Sequence, residues 1–195
     1  MPPNIIAPDG MFMTTKGMPY NWVYGNAQTD RSPSNIMTGV LFSYTRTASI
    51  YHCPTDRSKV TGVPGQLRFR SYGLSAPLGG GALGGLQMHP ANKLKTSQLR
   101  EPSKTYTFLD LSQWTIADGV NWIPILGAPE GDKAWGDYPS DRHSQGANVA
   151  LGDGRVEYWR WPKPLRQWWG PAINSQDLED LRRLQNALPG TWKDR

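Results

Sequence analysis

Apolar and polar residues alternate most regularly near the C-terminal third of the chain. There Ala147-Asn148-Val149-Ala150-Leu151-Gly152 is followed by Asp153-Gly154 and then by Arg155-Val156-Glu157-Tyr158-Trp159-Arg160-Trp161. An Asp-Gly pair between two period-two runs asks for positive φ at the turn, which glycine supplies without a Cβ clash, so the pattern predicts a tight hairpin. Thr105 to Asp110 reads as a strand with Asp110 at its end, and Leu67 to Leu74, where apolar residues alternate with basic or small ones, as a half-buried strand. Ala48 to Cys53 reads as extended up to Pro54, and Tyr20 to Tyr24 as a short strand. Helical spacing appears twice. Ile36, Met37, Val40, Leu41 and Tyr44 predict a helix from about Ser34 to Tyr44, and Leu178, Leu181, Leu184 and Leu188 predict a second one, capped by Ser175 and stopped by Pro189-Gly190.

Between these elements the chain is rich in turn formers. The glycines of Leu78 to Leu86 predict a surface excursion, and Asp118 to Asp141, with Trp122, Trp135 and Tyr138, predicts a long ordered loop held by its aromatic rings. A chain of 195 residues, with no internal repeat, is expected to form one domain over residues 1–195, with a loop-rich opening over 1–34 and a terminal helix over 175–189. The fold class expected is α+β, an antiparallel sheet with long aromatic-pinned loops and a C-terminal helix.

Composition then narrows the partners. Nine Trp and eight Tyr place much of the apolar area in rings suited to half-buried and interfacial positions. A net charge of +5 raises nucleic acid as a partner, and the densest basic stretch, Arg155 to Arg166 with Arg160 and Lys163, also carries several Trp. A basic, Trp-bearing strand end fits a solvated sheet edge or a protein contact better than a base-stacking platform. The single cysteine, Cys53, allows no disulfide within the chain, and no stretch reaches the ~18 apolar residues of a membrane span.

Candidate chemistry centres on His143, separated by nine residues from Asp153-Gly154. Were Asp110, His143 and Asp153 to converge, an imidazole beside carboxylates could act as a general base or a metal ligand in a metal-dependent hydrolase. The structural alternative has His143 hydrogen-bonded to an aspartate, pinning the hairpin, and Asp153 serving the turn. The sequence contains no Gly-x-Ser-x-Gly and no His-Glu-x-x-His. Trp159, Trp161, Trp168 and Trp169 are read either as partner or glycan contacts or as a small core under the last helix.

The His143-to-Asp153-Gly154 spacing occurs in order with Tyr51-His52-Cys53-Pro54-Thr55-Asp56, Arg68 to Gly73, Glu101-Pro102-Ser103 before Phe108-Leu109-Asp110, and Trp135-Gly136-Asp137-Tyr138-Pro139 before Arg142-His143. From about Trp22 onward this set resembles the prepilin-type processing-associated family named for a histidine, nine residues and Asp-Gly. The resemblance implies a head domain similar to those of type IV pilins and type II secretion pseudopilins, in which an N-terminal apolar helix packs in a filament and a β-sheet head faces outward. It implies structural roles for His143, Asp153, Gly154, Cys53, Pro54, Asp56 and Asp110. It also suggests calcium held by Asp137, Asp141 and Asp153, since related heads can hold an oxygen-liganded ion in their C-terminal region. Arg155 stands where relatives commonly carry His, Leu111 replaces a frequent acidic residue, and the family's apolar helix and its upstream cysteine are missing from the sequence as given. The function expected is that of a periplasmic or extracellular assembly subunit, not an enzyme, associating with itself or with other pilin-like subunits; the alternative is an extracellular module binding polysaccharide through exposed Trp and Tyr.

Overall fold

A computed structural model describes residues 21–78, 95–127, 132–161 and 170–189. Its fold is α+β: a five-stranded sheet with short helices on one face and a longer helix on the other. The strands are β1 (Tyr72–Ser75), β2 (Tyr106–Asp110), β3 (Val120–Asn121), β5 (Gly146–Leu151) and β6 (Val156–Arg160), in the order β3-β1-β2-β5-β6. A separate antiparallel pair joins β4 (Ala134–Trp135) to β7 (Gly170–Pro171). The helices are α1 (Ser34–Met37), α2 (Phe42–Thr45) and α3 (Ser175–Asn186).

The expected sheet is antiparallel throughout; the observed one is mixed. β3 lies parallel to β1, with Leu74 opposite Val120 and Ser75 opposite Asn121, because the chain after β2 crosses back over the sheet before it pairs. The remaining ladders are antiparallel, and β2, the central strand, ends at Asp110 as the pattern predicts.

The hairpin is where the alternation places it. Ala147, Val149 and Leu151 point into the core and Asn148 faces out, while across the ladder Trp159 is buried between exposed Tyr158 and Arg160. Residues 152–154 form the loop. Gly154 N–H donates to the Leu151 carbonyl, Leu151 N–H to the Arg155 carbonyl, and Gly154 takes φ +90, so a three-residue loop with a left-handed glycine closes the turn.

Helix α3 covers one face. Its N-terminus is capped by the Asn174 side chain, which accepts from Asp177 N–H at 3.0 Å, not by Ser175, and it ends at Asn186, ahead of the expected 189. Leu181 and Leu184 are fully buried against Ala147, Val149, Leu151, Leu109 and Leu111. The Trp135 indole donates to Asp177 Oδ1 at 2.9 Å and stacks on Tyr138 at 4.8 Å, so aromatic rings tie the 118–141 segment to the helix, but the segment expected as a loop contains the strands β3 and β4.

The opposite face is covered over β1 and β2 by Trp22, Val23, Ile36 and Tyr51, with Phe108, Tyr72 and Leu74 packed against them. Here several expectations give way. Trp22 and Val23 are buried in irregular chain, not in a strand; Trp22 Nε1 donates to the Gly119 carbonyl at 2.6 Å and its ring stacks on Tyr51. The single helix expected over 34–44 is two short ones: Val40 N–H donates to the Asn21 carbonyl at 3.0 Å in place of a helical partner, and Gly39 beside it packs on the Trp22 carbonyl where any Cβ would collide. Ala48–Tyr51 forms a 3₁₀ turn in place of an extended run. Of the expected 67–74 strand only the end is strand, as the start of Tyr72–Ser75, and Arg70 points inward: it is 1% exposed and donates to the carbonyls of Tyr24, Gly25 and Ala117 at 2.6–2.9 Å. Most of the Leu78 to Leu86 glycine stretch lies outside the described residues.

Candidate functional site

The site grows from the end of β2. Asp110 is completely buried, and its two carboxylate oxygens take different partners: Oδ1 accepts from Arg142 Nη1, and Oδ2 lies 2.8 Å from His143 Nε2. Burial pushes the Asp110 carboxyl upward, against the pull of Arg142 and then of His143. The backbone holds the same register, because Ser140 N–H donates to the Asp110 carbonyl at 2.7 Å and Arg142 Nη2 to the Leu111 carbonyl at 2.8 Å.

The chain reaches this position through a sharp reversal between His143 and β5. Ser144 and Gln145 both sit in the left-handed region, at φ 52 and φ 64, a conformation that costs an L-residue about 1–2 kcal/mol. Neighbouring structure maintains it. The Tyr158 hydroxyl, on the outer strand, reaches the carbonyls of His143 and Ser144 at 2.8 and 3.0 Å, Gln145 N–H donates to the Asp141 carbonyl, and Trp161 N–H donates to that of Gln145.

A second segment completes the cluster. The loop after the 3₁₀ turn brings Cys53, 2% exposed, to 3.4 Å from the same His143 Nε2, and the Thr55 hydroxyl lies 3.1 Å from its sulfur. Burial, followed by the neighbouring Cys53 and Asp110, pushes the Tyr72 phenol well above its ordinary range. Asp56, 2% exposed, accepts from Ser71 Oγ at 2.7 Å and Ser58 N–H at 2.9 Å and lies 3.4 Å from Arg142 Nη2. Burial raises Asp56, but Arg142, Ser71 and Ser58 together outweigh it and hold the carboxyl below the usual range. Pro54 is exposed at the bend between Cys53 and Asp56, where Asp56 N–H closes the turn onto the Cys53 carbonyl.

Of the motif residues, then, Cys53, Asp56, Asp110 and His143 meet, and Asp153 and Gly154 do not join them. The six-residue strand β5 separates His143 from the hairpin tip by about 20 Å at ~3.3 Å per residue. Asp153 accepts from its own loop, at Arg155 N–H (3.1 Å) and Arg155 Nε (2.8 Å). The convergence of Asp110, His143 and Asp153 is therefore corrected to Asp110 with His143 alone.

The suggested calcium ligands do not gather either. Among the described residues, the group whose ligand atoms lie within 4.8 Å of one another is Cys53, Asp110 and His143. Asp137 accepts from Trp122 N–H at 2.7 Å in surroundings whose burial pushes its carboxyl well up, Asp141 is exposed, and Asp153 is at the tip. Trp159 and Trp161 are core residues, 6% and 0% exposed, as the small-core alternative has it. Trp161 Nε1 donates to the Ser140 carbonyl, and Arg183 of α3 lies 4.1 Å above the Trp159 ring. Trp168 and Trp169, with Lys163, lie outside the described residues.

Arg142 is the residue that sequence reasoning undervalues. An arginine next to a loop histidine reads as solvated, yet this one joins Asp110 to Asp56, and only its neighbour's identity as the motif histidine hints at that. It also forms part of the wall of a surface pocket of about 230 Å³, with Arg57, Trp114 and Asp141 around it. Small-molecule sites usually run to roughly 300–1,000 Å³, so this pocket suits a group no larger than a side chain or a single sugar.

The geometry is not that of a nucleophile relay. A triad base uses one ring nitrogen for the nucleophile and the other for the carboxylate; here Nε2 faces both Cys53 and Asp110. What the arrangement does is fix two distant segments, the 51–56 loop and the base of the hairpin, to the end of the central strand. Comparison with protein-family models, with curated proteins and with solved structures finds no match to this chain.

Proposed function

We propose that this chain is an assembly subunit of the pilin-like kind, a head domain that acts outside the cytoplasm by associating with copies of itself or with similar subunits. The observation that carries this reading is the outer strand of the hairpin. Among the described residues β6 ends the sheet, pairing only with β5, and on its outward side Val156 and Tyr158 are 65% and 49% exposed, with Arg160 exposed beside them. Soluble proteins tend to blunt such edges with charge or cover them, and a bare apolar pair on an edge strand is a template for another chain. The motif is consistent with this, since His143 and Gly154 set the two ends of the hairpin that displays the strand. No helix among the described residues is long and apolar enough to cross a membrane.

A photo-crosslinking residue placed at position 156 in the native host tests the proposal. Capture of a second copy or of another pilin-like subunit is expected, together with loss of that product in the Val156→Lys variant at unchanged melting temperature. A protein that stays monomeric and captures neither overturns it. Capture of polysaccharide would move the assignment to the binding-module alternative, for which the half-exposed Trp114 at the pocket rim is the best anchor.

A further inference from the structure

Cys53, Asp110 and His143 come from sequence positions up to 90 residues apart, and their ligand atoms all lie within 4.8 Å of one another. As a hydrogen-bonded set, the cluster is over-subscribed at one atom. In the ring plane Nε2 offers either a proton or a lone pair, and either serves one neighbour. As N–H it bonds Asp110 and meets the sulfur only as a weak, shared acceptor; as a lone pair it accepts from the thiol and faces a carboxylate oxygen. A cation between the three removes this conflict, because each ligand then directs a lone pair at it.

The distances come near those around such an ion. Zinc–sulfur bonds of about 2.3 Å and zinc–nitrogen or zinc–oxygen bonds of about 2.0–2.1 Å, at tetrahedral angles, separate nitrogen from oxygen by about 3.3 Å and sulfur from nitrogen by about 3.6 Å. Two of the three separations here, 2.8 and 3.4 Å, are shorter than these and the sulfur–oxygen one lies within 4.8 Å, so taking up the ion requires the side chains to turn apart from their hydrogen-bonded positions. The charges also balance. A Cys53 thiolate with the Asp110 and Asp56 carboxylates makes three negative charges against the one positive charge of Arg142, leaving the two that one zinc ion neutralises.

The surroundings behave as an outer shell. Arg142 occupies Asp110 Oδ1, which leaves Oδ2 turned to the site, and the hydroxyl of Thr55, 3.1 Å from the sulfur, is placed to donate to it. Such partners orient ligands and stabilise a thiolate. We propose that Cys53, Asp110 and His143 bind one zinc ion, with water in the fourth position, and that the ion clips the 51–56 loop and the base of the hairpin to the end of β2. Thiolate and imidazole select zinc over calcium or magnesium. The clip is independent of whether the head assembles.

The test uses the full chain, stripped with a chelator and re-supplied with zinc or cobalt salts. One zinc per chain should remain after gel filtration, and zinc at 100-fold above its Kd should raise the melting temperature by about 5–10 °C. Cobalt should produce a thiolate-to-metal charge-transfer band in wild type that is absent in Cys53→Ser. Should that variant fail to fold, zinc-edge absorption of the wild type reads the same point, with one sulfur, nitrogen and oxygen in the shell. Substoichiometric zinc with no thermal shift, or bound metal without sulfur in its shell, overturns the proposal.

Discussion

Replacing Arg142 by Met isolates the electrostatics of the cluster while keeping most of the side-chain volume. Arg142 touches Asp110 Oδ1, the Leu111 carbonyl and Asp56, and Asp110 is 0% exposed. Without the guanidinium, a fully buried carboxylate keeps His143 as its side-chain partner, and a buried charge that loses one partner costs about 3–5 kcal/mol. For a chain of this length each kcal/mol shifts the melting temperature by about 2–4 °C, so the expected fall is roughly 6–20 °C. The assay is urea and thermal unfolding in a chelating buffer, which keeps metal out of the comparison. Asp110→Asn supplies the control: in the Arg142→Met/Asp110→Asn double variant the buried charge is gone, so the two losses should add to well more than the double variant shows. A fall below about 1 kcal/mol in Arg142→Met, or strict additivity in the double variant, would refute the account of Arg142 as the charge partner of Asp110.

Three further outcomes follow from separate parts of the fold. Gly154→Val should lose more than about 1 kcal/mol from backbone strain alone, because φ is +90 and no neighbour lies within 4 Å of an added Cβ; equal urea midpoints would contradict the turn geometry. Gln145→Gly, at φ 64, should gain about 0.5–1 kcal/mol by relieving the left-handed strain, with loss of stability as the contrary result. Asp180, 6% exposed, has its carboxyl raised to about 6 by burial and then by Asp177, with Arg183 opposing. An acid whose folded pKa lies above its unfolded one near 3.8 binds its proton more tightly when folded, so the penalty is present above pH 6 and disappears toward pH 4. Asp180→Asn should therefore stabilise by about 1–3 kcal/mol at pH 7 and by nearly nothing at pH 4; a gain independent of pH would point to packing instead.

The parts of the fold legible in the sequence are those set by local period. The hairpin over 146–160, strand β2 up to Asp110 and the leucine face of α3 follow from alternation, turn chemistry and helical spacing; the hairpin and α3 bury the sides their patterns assign, while β2, central in the sheet, packs on both faces. What escapes is set by distant contacts. Nothing near Gly39 announces the Asn21 and Trp22 carbonyls that meet the chain where the expected helix is interrupted, and nothing near Arg70 announces three carbonyls from two other segments. The site divides along the same line. His143 and Asp110 are both singled out by pattern, but the arrival of Cys53 beside His143 depends on tertiary closure across 90 residues, for which no periodicity exists. Trp159 and Trp161 show how composition misleads: an aromatic-rich strand end looks like a contact surface, while here the alternation of β6 turns Trp159 under Arg183 and leaves Val156 and Tyr158 outside.

The nine-residue spacing itself has a physical reading. It contains the left-handed pair Ser144-Gln145, the strand Gly146–Leu151 and Gly152, so it measures one strand with its entrance and exit. The two ends are held by different physics. At the tip, Asp153 and Gly154 close the loop with their own neighbours, and the interaction is local enough to form with the hairpin. At the base, His143 bonds Asp110, 33 residues earlier in the chain and at the end of the central strand, so this end sets the hairpin's position on the sheet. Because side chains alternate faces along a strand, adding one residue between these fixed ends would turn Ala147, Val149 and Leu151 out of the core or shear His143 away from Asp110. The spacing therefore follows from meeting both conditions at once, a buried face toward α3 and a histidine delivered to Asp110, and needs no substrate to explain it.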